Sequence, residues 1–95
     1  MNMTKTLHLL LKKKWFDMIA SGEKKEEYRD IKEYWTKRLE GKSYDQIHFR
    51  NGYSKDSRTM LVECKGISVD EGKLNWGGVR GQRCFVIKLG KILEN

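Results

Sequence analysis

The pattern of apolar and polar residues in the first half of the chain predicts one strand and two helices. Residues 7–11 are almost continuously apolar and are interrupted only by His8, as in a largely buried strand. From 12 to 21, apolar residues recur at helical spacing, and Gly22 follows as a left-handed C-terminal cap. Residues 31–39 predict a second helix. Its apolar face comprises Ile31, Tyr34, Trp35 and Leu39.

The second half of the chain has the two-residue periodicity of strands. Residues 46–50 predict a short strand, and Asn51-Gly52 follows it as a turn signal. Residues 60–69 and 84–92 predict two longer strands, and in each the apolar residues change phase at a glycine. We expect irregular pairing at these glycines, Gly66 and Gly90, with a β-bulge at the first.

Together these elements predict a single α+β domain spanning residues 1–95. Bulges and glycine bends allow a sheet to curl, so we expect a small β-barrel of about five to six strands, with two helices near the N-terminal half. Trp15, Phe16 and Trp35 lie on helical apolar faces and are assigned to the core. His8 and His48 alternate with apolar strand residues and have no companion at a spacing typical of catalysis.

Composition and charge indicate in which cellular compartment the protein is expected and what kind of partner it is expected to bind. No stretch approaches the ~20 apolar residues of a membrane span and no signal-peptide core is present, so we expect a cytoplasmic protein with no membrane partner. Cys64 and Cys84 lie far apart in apolar surroundings, which predicts buried thiols, no metal site and no cofactor. A net charge of +7 favours polyanionic partners, chiefly nucleic acid.

The stretch GEKKEEYRD, after the first helix, carries seven charged residues in nine. In a helix, its three pairs of charged residues at spacing four would each join like charges, at a cost of about 0.2–0.5 kcal/mol per pair. In a strand, Lys25, Glu27 and Arg29 alternate in sign along one face. Lys24 and Glu26, which have opposite charges, share the other face. The charge pattern therefore favours a strand.

Neither face of this charged strand is apolar, although in so small a domain one face of a strand must meet the interior or a cleft. We therefore expect one set of charges to line a cavity that is wet or filled by a ligand. Glu27 and Arg29 should then engage each other or a partner, because an unpaired buried charge is costly. The alternative is an exposed edge strand protected by its charges.

Gly22, Lys24, Glu27 and Arg29 form the pattern Gly-x-Lys-x-x-Glu-x-Arg, which resembles the signature of the ASCH domain, a branch of the PUA-like superfamily. The context is similar to that family as well, since a strand, basic residues and the helix WFDMIASG precede the motif. The segments FRNGY and CFVIKLGKI also resemble small stand-alone members from phages and bacteria. The resemblance covers essentially the whole chain.

This resemblance implies a PUA-like β-barrel whose motif residues line a cleft, and it implies RNA or nucleotide-like ligands. Some family members are hydrolases: one bacterial branch deacylates N4-acetylated cytidine, and ribonuclease activity is attributed to another. In the deacylating branch the motif lysine is catalytic and works with a threonine. This chain has Glu27 at the threonine position, so only Lys24 carries over.

The three charged motif residues are the main candidate ligand-binding groups. Arg29 has a planar fork of donors that suits a phosphate, a carboxylate or a base edge, and its alternative role is a structural ion pair. Glu27 can accept from an exocyclic amine or from Arg29, and the adjacent arginine disfavours proton abstraction. A desolvated Lys24 could act as a catalytic nucleophile or base, or could hold a phosphate.

Basic residues elsewhere predict a phosphate-attracting rim, although each is equally well explained as a solvated surface residue. They are Lys12, Lys13, Lys14, Arg50, Lys55 and Arg58. Tyr53 and Trp76 lie in glycine-containing loops, where an aromatic ring suits stacking on a base, and packing over the end of the barrel is the alternative for both. The candidate ligand contacts outside the motif are therefore Lys13, Arg50, Asn51, Tyr53 and Trp76.

These observations favour an RNA- or nucleotide-binding module that uses a charged cleft and a basic rim. The alternative is a small hydrolase acting on an N4-acylcytidine-like nucleoside or on RNA, with Lys24 as the key group. A protein-interaction module is a third hypothesis, but the sequence has no long apolar helix face or exposed strand pattern that favours it.

Overall fold

The computed structural model describes residues 4–95, and in that range five strands and two helices form. In chain order they are β1 (Thr6–Leu10), α1 (Lys13–Ala20), β2 (Glu26–Arg29), α2 (Glu33–Leu39), β3 (Gln46–Arg50), β4 (Thr59–Glu71) and β5 (Arg83–Glu94), with a 3₁₀ turn at Leu74–Trp76 before β5. Each strand and helix predicted from the sequence is present; β3 has its predicted bounds, and the ends of the others are shifted by a few residues. No helix in the described range is long and apolar enough to cross a membrane.

All five strands join one sheet, in the order β1-β3-β4-β5-β2. β1 and β3 are parallel, and every other neighbouring pair is antiparallel. The long strands β4 and β5 pair with several shifts of register, and the sheet curls into a half-barrel. The predicted α+β class and curled sheet are therefore confirmed, and β1 and β2 are the two edges of the sheet.

Two glycines mark irregularities in the pairing of β4 with β5, as the phase changes in the sequence predict. Gly66 has a φ of +139°, and the register shifts between Cys64 and Gly66. On β5 an extra residue lies between Leu89 and Ile92, around Gly90. A Cβ atom on Gly90 would lie 2.1 Å from a carboxylate oxygen of Glu63 on β4, so a larger residue there would displace that side chain.

The core lies between the concave face of the sheet and the two helices. The inward residues of β1, β3 and β5 alternate as their sequences predict, and α1 contributes Phe16 and Ile19. The buried apolar residues of this core are Leu7, Leu9, Leu11, Phe16, Ile19, Leu39, Ile47, Phe49, Met60, Val62, Phe85, Ile87 and Leu89. Phe16 therefore occupies its predicted place.

The second helix differs from its prediction. It begins at Glu33, so Ile31 precedes it and is 50% exposed. Of the predicted apolar face, Leu39 is buried and Trp35 is partly buried, but Tyr34 is 55% exposed. The physical reason is that the helix packs at the rim of a cavity, so its aromatic residues line an opening instead of filling the core.

Both cysteines are free thiols, with Cys84 buried and Cys64 partly buried. Burial raises the pKa of each thiol above its ordinary value. Residues 4–95 contain no group of three or more side chains that could hold a metal ion.

Candidate ligand-binding site

Three charged side chains of the GEKKEEYRD stretch form a buried ionic cluster: Lys24, Glu27 and Arg29. Lys24 is 1% exposed and Glu27 is 5% exposed, an unusual degree of burial for ionised groups. The Glu27 carboxylate bridges the other two, with Oε1 at 3.1 Å from the Lys24 ammonium and Oε2 paired with Nη1 of Arg29. The stretch does form an edge strand, β2, but its charges are turned inward as well as toward solvent.

Lys24 lies on the same side as Glu27, whereas strand alternation predicted that the two would face opposite ways. The reason is that β2 begins only at Glu26, so alternation does not reach Lys24. Its backbone N–H instead donates to the Met18 carbonyl oxygen at 3.0 Å, which holds residue 24 against the end of α1. The side chain then turns into the interior.

The Lys24 ammonium is enclosed by aromatic rings and by a carbonyl group. It donates to the Trp76 carbonyl oxygen at 2.6 Å and lies 5.0 Å from the centre of the Trp15 ring and 4.8 Å from that of Tyr28. Burial lowers the pKa of Lys24, and the charge of Glu27 opposes that effect. Lys24 thus joins α1, β2 and the loop before β5.

Arg29 connects the two edges of the curled sheet. From β2, its guanidinium donates to the Leu10 carbonyl oxygen of β1 at 2.9 Å and to the Tyr28 carbonyl oxygen at 2.7 Å. It also pairs with Glu27 and lies 5.1 Å from the centre of the Trp35 ring. The arginine fork is therefore fixed in orientation by backbone acceptors on both strands.

A cavity of about 590 Å³, the aromatic cavity, opens beside this fork. Glu27 and Arg29 contribute to its wall, together with the end of β1 and the rim of α2. Six aromatic side chains also line it: Trp15, Tyr28, Tyr34, Trp35, Tyr53 and Trp76. Lys24 is not part of the wall, because it lies beneath the rings of Trp15 and Tyr28.

Trp76 is 9% exposed and forms part of the wall, so it packs against the domain and also faces the cavity. The loop that carries it is tightly folded: a Cβ atom on Gly78 would lie 2.2 Å from the backbone of Gly72. Gly77 ends the 3₁₀ turn in the left-handed region, at φ +101°. The indole N–H of Trp76 is buried and has no hydrogen-bond partner within residues 4–95.

Tyr53 stands at the opposite rim and is 88% exposed. Arg50 holds its loop from both sides, since Nε donates to the Gly52 carbonyl oxygen at 3.0 Å and Nη2 donates to the Ser54 carbonyl oxygen. Asn51 donates to the Leu11 carbonyl oxygen at 2.9 Å. The structure thus brings Tyr53 to the aromatic cavity, while Arg50 and Asn51 bond to backbone and fix the loop.

Some residues of the predicted basic rim form ion pairs with Asp17, whereas others lie at the aromatic cavity or beside one of its rings. Lys13 and Arg58 both bind Asp17, at 2.8 and 2.7 Å, which also lowers the pKa of that carboxyl group. Lys12 is exposed and lines the aromatic cavity, and Lys14 lies 4.7 Å from the centre of the Trp15 ring. Lys13 therefore lies outside the cavity wall, and Lys12 is the lysine nearest to a ligand there.

Several cavity residues were missed by sequence reasoning. Trp15 and Trp35 were assigned to the core, yet each is only partly buried and faces the aromatic cavity. Tyr34 was placed on the same apolar helix face, and His8 was given no role. One available signal was the number of aromatic residues on two very short helices, which a core this small cannot enclose completely.

Comparison of the chain with protein-family models, with curated proteins and with solved structures found no match in any of the three. The candidate function therefore depends on the geometry of the cavity and on the resemblance of the charged motif.

Proposed function

We propose that the chain is a binding module of the ASCH type, with a PUA-like fold, that holds a base of RNA or of a nucleotide in the aromatic cavity. One observation carries this proposal: an oriented arginine fork and a buried carboxylate lie together in the wall of an aromatic-lined cavity. The resemblance of the motif to the ASCH signature supports the same conclusion, because the cluster consists of three of the four motif residues.

The size and lining of the aromatic cavity suit a planar, polar ligand. Its volume, about 590 Å³, falls within the range of small-ligand pockets, about 300–1,000 Å³. Aromatic walls stack on any base, and each stacked base contributes about 1–3 kcal/mol. A base has donors and acceptors on its edges, which match the carboxylate of Glu27 and the guanidinium of Arg29 in the cavity wall.

The charge of the chain supports a phosphate-bearing ligand. The net charge is +7, and the exposed Lys12 lines the aromatic cavity. A cation at that position would attract the backbone of an RNA whose base enters the cavity, so binding would weaken as salt rises.

A hydrolase is the second candidate, favoured by the lowered pKa of Lys24. A deprotonated lysine can act as a nucleophile or a base. Against it, the Lys24 ammonium is already bonded to Glu27 and to the Trp76 carbonyl oxygen, and it lies outside the cavity wall. Incubation of wild type and Lys24→Met with N4-acetylcytidine and with RNA tests this mechanism, and we expect no turnover by either protein.

The binding proposal is tested by equilibrium titration of fluorescently labelled RNAs, single-stranded and structured, at low and moderate ionic strength, with unlabelled nucleotides as competitors. Tyr34→Ala should weaken binding about fivefold or more, because the ring lines the aromatic cavity. Ile31→Ala is the matched control, since Ile31 is similarly exposed but does not line the cavity. Absence of salt-sensitive binding to every RNA, together with no nucleotide binding, would overturn the proposal.

A further inference from the structure

A second cavity, of about 320 Å³, lies on the outer face of the sheet, where β1 and β3 run side by side. It is lined by His8, Leu9, Leu10, His48, Arg50 and Tyr53. In the pairing of the two strands, His8 lies opposite His48, and Leu10 lies opposite Arg50. The cavity thus contains two adjacent cross-strand pairs of side chains. One pair consists of two imidazole rings, and the other of an apolar side chain and a guanidinium group.

The side chains of this cavity are open to contact. The rings of His8 and His48 are 5.2 Å apart between centres and tilted by 52°, so they do not stack face to face. His8 is exposed, His48 is partly exposed, and Leu10 is 39% exposed. These exposures leave both rings accessible to a ligand.

The second cavity adjoins the aromatic cavity. His8, Leu10 and Tyr53 line both, and Tyr53 stands between them with 88% of its surface exposed. Because Arg50 holds the Tyr53 loop at two carbonyl groups, the ring is kept at this boundary. A chain with one base in the aromatic cavity would pass Tyr53 and enter the second cavity.

We propose that the second cavity binds the neighbouring nucleotide, and hence that the ligand is single-stranded RNA of two or more nucleotides instead of a free nucleotide. This inference rests on the proposed function, because it takes the aromatic cavity as the site of the first base. It assigns to His8 and His48 a stacking role that their positions in the sequence do not indicate.

Chemistry favours this occupant over another kind of ligand. Histidine and tyrosine rings stack on bases of any identity, so the second cavity would bind the nucleotide without selecting its sequence. An arginine has five N–H donors, and the Gly52 and Ser54 carbonyl groups engage Nε and one Nη2 hydrogen of Arg50, which leaves donors for the phosphodiester that joins the two nucleotides. The net charge of +7 complements such a ligand.

The test compares mononucleotides with dinucleotides. The intact protein is titrated, by calorimetry and by tryptophan fluorescence, with the four ribonucleoside 5′-monophosphates and with the dinucleoside monophosphates ApA, CpC, GpG and UpU. The dinucleoside monophosphate has the smaller negative charge, so tighter binding by it cannot come from charge alone. We expect the dinucleotide to bind about fivefold or more tightly than its mononucleotide.

His48→Ala is the discriminating variant, because His48 lines the second cavity and not the aromatic cavity. It should bring the ratio of dinucleotide to mononucleotide affinity close to one. Gln46→Ala is the control, since Gln46 lies on the same face of β3 and lines neither cavity, and it should leave the ratio as in wild type. Thermal melts establish that each variant is folded.

Each outcome separates the two claims. If mononucleotides bind but dinucleotides bind no more tightly, or if His48→Ala leaves the ratio at its wild-type value, the second cavity is not a nucleotide subsite and the proposed function stands. If neither class of ligand binds and labelled RNA does not bind, the proposed function fails and the subsite fails with it.

Discussion

Replacement of Glu27 by glutamine tests whether the buried ionic cluster holds the domain together. The substitution preserves the size of the side chain but removes the carboxylate that bridges Lys24 and Arg29. Arg29 keeps its bonds to two backbone carbonyl groups. Lys24, however, is 1% exposed and loses the one carboxylate with which it forms an ion pair within the described range. The lysine therefore dominates the cost.

The magnitude of that cost can be bounded. Removal of one partner from a buried ion pair costs about 3–5 kcal/mol. The domain can limit the loss by releasing the Lys24 proton, which costs about 1.4 kcal/mol for each pH unit below the ordinary lysine value of about 10.4, or about 5 kcal/mol at pH 7. We therefore expect a loss of about 3–5 kcal/mol at pH 7, out of a total of about 5–15 kcal/mol for a domain of this size.

The pH dependence has a definite sign. Burial lowers the pKa of Lys24 in the folded state, and loss of the Glu27 charge lowers it further. Between that lowered value and the ordinary lysine value, the unfolded state binds more protons than the folded state, so stability rises with pH. The deficit of Glu27→Gln relative to wild type should therefore be larger at pH 7 than at pH 9.

Urea unfolding followed by tryptophan fluorescence and circular dichroism, at both pH values, measures this deficit. Glu26→Gln is the matched control: Glu26 accepts a hydrogen bond from the Tyr28 hydroxyl, which glutamine can also accept, and we expect a change within about 0.5 kcal/mol. Lys24→Met added to Glu27→Gln should restore part of the lost stability. A loss of stability no larger than that of the control, or one independent of pH, would show that the buried ionic cluster does not stabilise the domain in this way.

Three further predictions follow from single contacts. Gly78→Ala should destabilise the domain more than Gly81→Ala. A Cβ atom at Gly81 meets nothing within 4 Å, so Gly81→Ala costs only about 1–2 kcal/mol for its left-handed backbone. Equal melting temperatures of the two variants would contradict the close packing of Gly78 in the loop before β5. Arg29→Lys should keep the ion pair with Glu27 but lose a hydrogen bond to a backbone carbonyl group between the sheet edges. The free energy of unfolding should therefore fall by about 1 kcal/mol. An unchanged midpoint of urea unfolding would contradict this prediction. Cys64 and Cys84 should react with Ellman's reagent much more slowly in the native protein than in urea, because burial raises their pKa values; equal rates would contradict their burial.

Most of the fold could be predicted because local sequence signals agree with it. The apolar alternation of β3 and β5 places Ile47 and Ile87 in the core, and the phase changes at Gly66 and Gly90 locate the irregular pairing. The position of Lys24 could not be predicted in the same way. The Lys24 side chain points inward because the backbone N–H of Lys24 is hydrogen-bonded to the end of α1. Lys24 precedes the first residue of β2, so the two-residue alternation of a strand does not determine its direction.

The candidate site was predictable only in part for a related reason. The charge pattern indicates Glu27 and Arg29, because the alternating signs favour a strand and that strand has no apolar face to pack against the interior. The sequence indicates Tyr53 and Trp76 as stacking residues of the aromatic wall, but it does not indicate Trp15 and Trp35, which have the helical spacing of core residues. Whether such a ring fills the interior or lines an opening depends on how the sheet edges close, which is a property of the tertiary structure.

An isotope-edited NMR titration with nucleosides, nucleotides and short RNAs tests the binding function most directly. We expect chemical shifts to change first at the residues that line the aromatic cavity, with Glu27, Arg29 and Tyr53 among them, and we expect added salt to weaken the response to RNA. Shifts scattered over exposed lysines with the cavity residues unchanged, or no shifts with any of these ligands at low ionic strength, would contradict it.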